Sequence, residues 1–280
     1  MRLIISLVVA SALAAQTKVG PAHGHLVIAG GGTLGPEIVG RFIALAGGVD
    51  APIVIIPTAD DRDQFPADYA ATSFLAKAGA KHVTMLHTRN KADSGTDAFV
   101  AVLQQAGGVW FTGGRHWRLV DSYLGTRVQR ELMALLERGG VIGGTSAGAT
   151  IQGSFMVRGA RSGNTIMIDQ EYHDGLGFLR GVAIDQHLLT RQRERDMLPV
   201  VELHPELLGL GLDEGTAIIV TGDRFEVVGV SKVAIYEHAK PHYFLSAGDH
   251  FDLAKRLKVS KSATRPESHR AATGGSGPRF

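Results

Sequence analysis

Mainly apolar runs alternate with segments of helical periodicity through the first half of this chain. The apolar runs are residues 25–29, 52–57, 83–87, 109–111 and 141–142. Strands that are buried on both faces need near-continuous apolar residues, and the helical segments between them supply the crossovers that parallel strands require. The alternation therefore predicts an α/β fold, with a mostly parallel sheet and helices on both of its faces. The hydrophobic content of 44% is enough for the core of such a domain.

The same periodicities predict the remaining elements. Helical spacing covers residues 36–46, 68–78, 97–105, 117–123, 127–138, 147–155 and 191–201. Further strand-like runs occupy residues 181–185, 216–220, 225–230 and 232–236. The last three of these runs predict an antiparallel C-terminal β extension of the same sheet.

The N-terminus has the pattern of an export signal. Arg2 precedes an apolar run over residues 3–14, which ends in the small-residue pattern Ala12-Leu13-Ala14. This predicts a signal peptide over residues 1–15 and export to the periplasm or the medium. The run is too short to span a bilayer comfortably, so we expect no stable membrane insertion. Residues 16–254 are then predicted to form a single α/β domain.

The positive charge of the chain is concentrated in residues 255–280. This segment holds seven Lys and Arg against one Glu, a net charge of +6, which leaves −4 for the rest of a chain whose total is +2. Its Ser, Gly and Pro content predicts a disordered basic tail. Nothing in the acidic body indicates a nucleic-acid partner. The chain has no cysteine, which excludes a thiol nucleophile and a cysteine-ligated metal.

The segment Gly144-Thr145-Ser146-Ala147-Gly148 matches the G-x-S-x-G pattern of a nucleophile elbow. An apolar strand precedes it and helical residues follow it, which is the context that such a turn requires. Its glycines allow the sharp turn that holds a serine hydroxyl above the edge of a sheet. We therefore predict Ser146 as a nucleophile and the backbone N–H of Ala147 as a donor to a developing oxyanion, in a hydrolytic domain.

A nucleophilic serine needs a base, and His187 is the best placed of the twelve histidines. It ends the strand-like run that begins at residue 181, and catalytic groups collect at the carboxyl ends of such strands. The group that orients its ring stays open at this point. Asp185 is too close to His187 along a strand to face the ring. The chain between Ser146 and His187 offers other candidates, which are Asn164, Asp169, Glu171 and Asp174.

Two further patterns lie near these residues. The glycine corner Thr112-Gly113-Gly114 closes the run 109–111, and the N–H groups of Gly113 and Gly114 are predicted to complete the oxyanion hole. The nearby arginines 191, 193 and 195 suit bidentate binding of a substrate carboxylate, or else form a solvated helix face.

Two patterns point to a cofactor only weakly. Residues 30–35 match G-x-G-x-x-G, but the acidic residue expected after the second strand is missing. Glu202 and His204 are too small a set for a metal site. We therefore expect neither a cofactor nor a metal.

Several motifs together resemble the cyanophycinase and aspartyl dipeptidase family of serine peptidases, peptidase family S51. They are T-G-G at 112–114, G-T-S-A-G-A at 144–149, G-L-G-F-L at 175–179, and D-Q-H followed by R-x-R over 185–193. The resemblance covers residues 25 to 237. It implies a class I glutamine amidotransferase-like, flavodoxin-like fold that is often dimeric. It also implies acyl-enzyme hydrolysis of peptide or isopeptide bonds next to aspartate, including the β-Asp-Arg units of cyanophycin, in a small peptide or cyanophycin-like substrate.

The resemblance also assigns site residues. The nucleophile and base are Ser146 and His187, and the oxyanion hole is formed by Gly113, Gly114 and Ala147. The residues implied to line the substrate pocket are Asp185, Gln186, Arg191 and Arg193.

The chain departs from the family pattern at two places. The family usually has Asp-Gln after T-G-G, where this chain has Arg115 and His116, which we assign to substrate binding. The family's triad carboxylate falls a little over twenty residues before the histidine, where this chain has residues 163–165. Asn164 is therefore predicted as the third triad member, because an amide can also orient an imidazole.

Two other functions fit the same motifs. An α/β-hydrolase esterase shares the elbow, but His187 follows Ser146 by only 41 residues and no HGGG-type loop lies upstream. A catalytically inactive peptide-binding protein of the same fold would fit the missing carboxylate and the altered corner at Arg115 and His116.

Overall fold

The computed structural model describes residues 19–259, so the signal peptide predicted over residues 1–15 lies outside the described residues. The strands, β1 to β14 in chain order, are His25–Ala29, Pro52–Ile56, His82–Met85, Gly108–Phe111, Val141–Thr145, Gly153–Phe155, Leu179–Gln186, Leu208–Leu212, Thr216–Thr221, Arg224–Gly229, Lys232–Tyr236, Tyr243–Ser246, His250–Asp252 and Leu257–Val259. The α-helices, α1 to α7, are Pro36–Leu45, Phe74–Lys77, Asp97–Gln105, His116–Tyr123, Arg127–Glu137, Ala147–Thr150 and Leu198–Leu203. Within residues 19–259, no helix is both long and apolar enough to cross a bilayer.

The larger of two sheets has nine strands in the order β14-β13-β10-β9-β1-β5-β4-β2-β3. The five strands from β1 to β3 in this order are parallel, as the continuous apolar runs predict. Strand β9 pairs antiparallel with β1, and β10, β13 and β14 extend that antiparallel side. This confirms the α/β fold with a mostly parallel centre and an antiparallel extension.

Both faces of the large sheet are covered, because its strand residues alternate between two apolar clusters. Val27 and Ile55 face the core shared with α1 and α2. Leu26 and Val54 face the core shared with α3 and α5. Fully burying one such aliphatic side chain stabilises the fold by about 1.5–3 kcal/mol.

A second sheet of five strands, in the order β12-β11-β8-β7-β6, packs into the same core as α3 and α5. Its strands β6, β7 and β8 are parallel, and β11 and β12 are antiparallel. The expectation that residues 232–236 extend the large sheet is therefore wrong, since β11 pairs with β8. Apolar residues on both faces of β11 allow either pairing, so the strand's own sequence does not distinguish them.

Four predicted elements are shorter or end elsewhere. The helix expected over 147–155 stops at Thr150 and is followed by β6, and the helix expected over 68–78 is reduced to α2. The helix expected over 191–201 begins only at Leu198. The predicted disordered tail begins too early at residue 255, because β14 pairs with β13 up to Val259.

Candidate active site

Ser146 occupies a sharp turn between β5 and α6. Its backbone angles are φ 55° and ψ −115°, a region that residues with a Cβ rarely adopt. The N–H of Ser146 donates to the carbonyl of Ala29 at the end of β1 (3.1 Å), and its carbonyl accepts from the N–H of Ala149 (2.9 Å). Gly148 lies so close to β4 that an added Cβ would be 2.7 Å from the carbonyl carbon of Phe111. These contacts maintain a strained turn that holds the hydroxyl at the carboxyl edge of the sheet.

His187 lies directly beside this serine. Its Nε2 is 2.9 Å from Oγ of Ser146, which is hydrogen-bonding distance. His187 follows β7 of the second sheet, and its N–H donates to the carbonyl of Gly30 in the first sheet's loop (3.0 Å). The site therefore forms where the carboxyl ends of β5 and β7 meet, although the two strands belong to different sheets.

Glu214 is the partner of the other ring nitrogen of His187. Its Oε1 lies 2.5 Å from Nδ1 of His187. The two residues follow β7 and β8, which are adjacent and parallel, so their side chains leave the same edge of the second sheet. A carboxylate at Nδ1 keeps the proton on that nitrogen and leaves Nε2 free to accept from Ser146.

The prediction that Asn164 orients His187 is wrong. Glu214 occupies that position, and the backbone carbonyl of Asn164 accepts instead from Nη1 of Arg158 (2.8 Å). The sequence patterns do not reveal Glu214, because it lies after the histidine and because the alternating glycines of Leu-Gly-Leu-Gly-Leu over 208–212 are not typical of a strand. The signal in the sequence was an acidic residue just beyond an apolar run, the same position that Ser146 and His187 have relative to theirs.

The glycine-rich loop after β1 packs against the His187–Glu214 pair. A Cβ added to Gly31 would lie 2.5 Å from Nδ1 of His187, and one added to Gly32 would lie 2.5 Å from Oε2 of Glu214. Both glycines also have positive φ, 129° and 64°. The G-x-G-x-x-G match in this loop therefore has a structural explanation, because only residues without a side chain can cover the pair so closely.

Asp213 connects the turn after His187 to the end of β8. Its Oδ1 accepts from the N–H groups of Leu189 (3.0 Å) and Thr190 (2.9 Å), and its Oδ2 accepts from the hydroxyl of Ser231 (2.7 Å). His187 itself has a φ of 56°. The bonds of Asp213 fix the backbone that follows His187 relative to the backbone that carries Glu214.

The predicted oxyanion-hole residues lie around Ser146. A Cβ on Gly113 would be 3.1 Å from Cβ and 3.6 Å from Oγ of Ser146, so the Gly113 backbone borders the hydroxyl. Ala147 begins α6 and follows Ser146 directly. Within residues 19–259, the N–H groups of Gly113, Gly114 and Ala147 donate to no protein acceptor. Unpaired N–H groups in such positions are suited to stabilise a negative oxygen.

Burial lowers the pKa of His187 below its usual value. The hydrogen bond that Nδ1 of His187 donates to Glu214 raises this pKa, and the positive charge of Arg191 adds to the lowering. The imidazole is therefore neutral near pH 7, the form that can take a proton from Ser146.

The predicted substrate-binding residues divide into a buried and a more exposed group. Asp185 has no exposed surface, and Nε and Nη2 of Arg158 donate to its two carboxylate oxygens at 2.7 and 2.8 Å. The prediction that Asp185 lines the pocket is therefore wrong, because Arg158 occupies both of its oxygens. Gln186 is also buried, and its Oε1 and its carbonyl both accept from Nη1 of Arg193, which is itself only 8% exposed.

His116, Arg115 and Arg191 complete the predicted set. His116 is buried, with its Nε2 3.4 Å from Nε2 of Gln186, and burial together with nearby arginines lowers the pKa of His116 to about 3. Arg115 is half-buried and donates from Nη2 to the carbonyl of Ala160 (2.6 Å). Arg191 is exposed beside His187. Contact of these residues with substrate stays a prediction.

The described part of the chain contains no cluster of side chains suited to bind a metal ion. No group of three or more His, Cys, Asp or Glu in residues 19–259 is placed to hold a metal ion. Glu202, one of the two residues weighed for this role, lies 3.2 Å from Nδ1 of His238.

Comparison with known proteins identifies the family of this chain. The model of "Peptidase family S51" matches residues 26–228 of this chain. A cyanophycinase of Geminocystis herdmanii is 33% identical over 208 residues, which are 72% of this chain and 75% of that protein. A cyanophycinase of a Nostoc species is 32% identical over 248 residues, covering 79% of this chain and 82% of that protein. The crystal structure of a peptidase from an acI-B1 Actinobacterium has the same fold, with a TM-score of 0.64, 22% identity, and coverage of 82% of this chain and 97% of that one.

Proposed function

This chain belongs to peptidase family S51, and from that membership we propose that Ser146, His187 and Glu214 hydrolyse a peptide or isopeptide bond next to aspartate. The observation that carries the proposal is the line of two hydrogen bonds from Oγ of Ser146 through the imidazole of His187 to the carboxylate of Glu214. This arrangement is that of a nucleophile, a base and an orienting group.

The reaction follows from these positions. His187 takes the proton of Ser146 at Nε2 as Oγ attacks the scissile carbonyl carbon. The N–H groups of Gly113, Gly114 and Ala147 stabilise the oxyanion that forms. His187 then gives the proton to the departing amine, which leaves an acyl-enzyme, and a water activated by the same imidazole releases the acid. Glu214 stabilises the imidazolium in both halves of the reaction.

Preference for aspartate is supported by the charge around the site. Arg115 and Arg191 are the predicted substrate residues with exposed surface, and a guanidinium suits bidentate binding of a carboxylate. The curated relatives are named cyanophycinases, so β-Asp-Arg and cyanophycin-like chains are the first substrates to test.

The alternative of an inactive peptide-binding protein rested on the missing carboxylate before His187 and on the altered corner at Arg115 and His116. Glu214 supplies a carboxylate from after His187, and this removes the first of the two reasons for that alternative. No observation in the described residues favours the esterase alternative.

The test is covalent labelling. The full chain is treated with a small fluorophosphonate and digested, and the adduct is located by mass spectrometry. We expect modification of Ser146 that is lost in His187→Ala and retained in the control His82→Ala, whose exposed side chain lies at the amino end of β3. Cleavage of aspartyl peptides should then be lost in Ser146→Ala. Labelling without any aspartyl-peptide cleavage would contradict the substrate, and absence of labelling would contradict the mechanism.

Export is a further part of the proposal. The backbone N–H groups of Val19 and Gly20 donate to Oδ1 of Asp223 (2.8 and 2.9 Å), and cleavage after residue 15 would leave these bonds intact. N-terminal sequencing of the protein from periplasmic and extracellular fractions tests it, and an uncut N-terminus there would contradict it. The homodimer implied by the resemblance stays a prediction that light scattering tests.

A further inference from the structure

The loop after β2 packs directly against the corner that supplies two of the proposed oxyanion donors. Residues 57–73 form this loop, which has no helix or strand of its own before α2. Strand β2 pairs in parallel with β4, so the loop lies beside the Gly113–Gly114 corner that follows β4. The contact is made by the carbonyl of Ala59, which accepts from the N–H of Arg115 at 2.7 Å. A Cβ added to Gly114 would clash with this same carbonyl.

Arg89, which follows β3, holds this loop in place. Its Nη1 donates to the carbonyl of Thr58 and its Nη2 donates to the carbonyl of Asp60, both at 2.5 Å. The same Nη2 also donates to the carbonyl of Arg62 at 3.0 Å. Thr58 and Asp60 lie on either side of Ala59, so one rigid guanidinium fixes the backbone before and after the carbonyl that reaches the corner.

Two side-chain hydrogen bonds also hold Thr58. Its hydroxyl lies 2.6 Å from Oη of Tyr123, at the end of α4, and 2.9 Å from Nδ1 of His87. Thr58 and Tyr123 have no exposed surface. Burial raises the pKa of Tyr123 to about 12, so its phenol stays neutral and keeps this bond near neutral pH. The position of Ala59 is therefore determined through both the backbone and the side chain of its neighbour Thr58.

The Gly113–Gly114 corner depends on the strand and loop beside it. Among residues 19–259, the two N–H groups of the corner donate to no protein acceptor. The hydrogen bonds that flank the corner both end on β2 or on its loop, since the N–H of Thr112 donates to the carbonyl of Ile56 (3.1 Å) and that of Arg115 donates to Ala59. Oxyanion donors stabilise a developing charge most when they are oriented before the reaction, so the loop that orients this corner affects the rate.

We propose that Arg89 is a positioning residue for the oxyanion hole. Its guanidinium holds the loop after β2, and the Ala59 carbonyl of that loop fixes the corner through the N–H of Arg115. In the described part of the chain the hydrogen bonds of Arg89 all end on residues 58–63, so it acts on the reaction through this loop and not on the reacting atoms. The inference rests on the serine mechanism proposed above.

The first test measures the reactivity of Ser146 in Arg89→Ala. The rate of fluorophosphonate labelling depends on the oxyanion donors, because the phosphoryl oxygen of the reagent occupies the place of the acyl oxygen. Removal of one oxyanion donor lowers rates by about 10²–10³-fold, so we expect misplaced donors to slow labelling and kcat by roughly 10–100-fold. KM for an aspartyl peptide should change less than about threefold, because an interaction made only in the transition state affects kcat. Labelling as fast as in the wild type would overturn the inference.

The matched control is Arg138→Ala. Nη2 of Arg138 also donates to two backbone carbonyls, those of Leu103 (2.5 Å) and Ala106 (3.1 Å), but at the amino end of the parallel strands. Both variants lose hydrogen bonds of the same kind, so both should lose some stability. Arg138→Ala should nevertheless keep the labelling rate of the wild type. Equal slowing in the two variants would indicate a general loss of stability and would overturn the inference.

Two further measurements separate the position of the loop from the charge of Arg89. Arg89→Lys keeps the charge but not the planar fork that reaches three carbonyls, so we expect it to recover only part of the labelling rate. It also serves as the test variant if Arg89→Ala does not fold. Guanidinium added at millimolar concentration should restore part of the rate in Arg89→Ala, and methylammonium should restore less. Wild-type rates in Arg89→Lys, or equal rescue by the two cations, would assign the effect to charge and overturn the inference.

A backbone measurement separates this inference from the proposed reaction. Hydrogen exchange of the Arg115 N–H, followed by NMR, reports on its bond to Ala59 without any chemistry at Ser146. We expect this exchange to be faster by about tenfold or more in Arg89→Ala and unchanged in Arg138→Ala. If the wild type shows no labelling but the exchange changes as expected, the proposed reaction fails and the positioning of the corner by Arg89 stands. Unchanged exchange of the Arg115 N–H in Arg89→Ala overturns the inference.

Discussion

Gly31 lies against the imidazole of His187 so closely that a Cβ on this glycine would be 2.5 Å from Nδ1 of the ring. The loop after β1 therefore acts as a wall that keeps the ring in the plane between Ser146 and Glu214. Two hydrogen bonds hold the ring from its ends, and the glycine loop holds it from its face.

This packing predicts the effect of Gly31→Ala. The added methyl group must displace the imidazole, and alanine is also strained at a φ of 129°. We expect kcat to fall by about a hundredfold or more, because small misplacements of catalytic groups have effects of this size. The measurement is steady-state hydrolysis together with circular dichroism.

The control for this variant is Gly35→Ala in the same loop. An added Cβ at Gly35 meets nothing within 4 Å, so its activity should stay close to that of the wild type. Loss of activity in both variants would show that the loop tolerates no change at all and would contradict the specific role of Gly31.

Glu214→Gln should remove most of the activity while the fold is kept. The amide can present either end to Nδ1 of His187 and no longer stabilises the imidazolium, so we expect kcat to fall by roughly 10³–10⁴-fold. Steady-state hydrolysis by the purified variant measures this. Asn164→Ala is the matched comparison, and we expect it to keep kcat, since only the backbone carbonyl of Asn164 contacts Arg158. A larger loss of kcat in Asn164→Ala than in Glu214→Gln would contradict the assignment of Glu214 as the orienting group.

The pH profile should report the ionisation of His187. Burial lowers the pKa of His187, and protonation below that pKa abolishes its role as a base. We expect kcat/KM to rise with pH along an acid limb whose midpoint lies below about 6.5, the ordinary value for histidine.

The pH profile of Glu214→Gln shows whether the carboxylate raises or lowers the pKa of His187. The hydrogen bond that His187 donates to Glu214 raises the pKa of His187, so its removal should move the acid limb to still lower pH as the plateau falls. A limb that moves to higher pH would mean that Glu214 does not act on His187 in this way.

The Arg158–Asp185 pair predicts a loss of stability in Asp185→Asn. Both side chains are almost fully buried, at 2% and 0% exposure, and the variant leaves the guanidinium without its bidentate partner. We expect the free energy of unfolding to fall by about 3 kcal/mol, measured by urea denaturation. Lys81→Met breaks an exposed pair with Asp50 and should change stability little. An unchanged unfolding midpoint in Asp185→Asn would contradict a structural role for the pair.

Local patterns in the sequence were sufficient for the strands of the parallel sheet, the Ser146 elbow, the Gly113 corner and the choice of His187. Each of these rests on a few neighbouring residues, and the physical rules that relate apolar runs to buried strands and glycines to sharp turns act over the same short range.

Only the tertiary structure decided which carboxylate faces His187, which sheet β11 joins, and that Asp185 is used by Arg158. Glu214 lies 27 residues beyond His187 and reaches it because β7 and β8 pair in parallel, which brings their carboxyl ends together. Asp185 does not line the pocket because it pairs with the guanidinium of Arg158, which lies on a turn distant in sequence and is buried. Such contacts depend on strand pairing and on competition for buried charges, and neither is encoded in the spacing of residues along the chain.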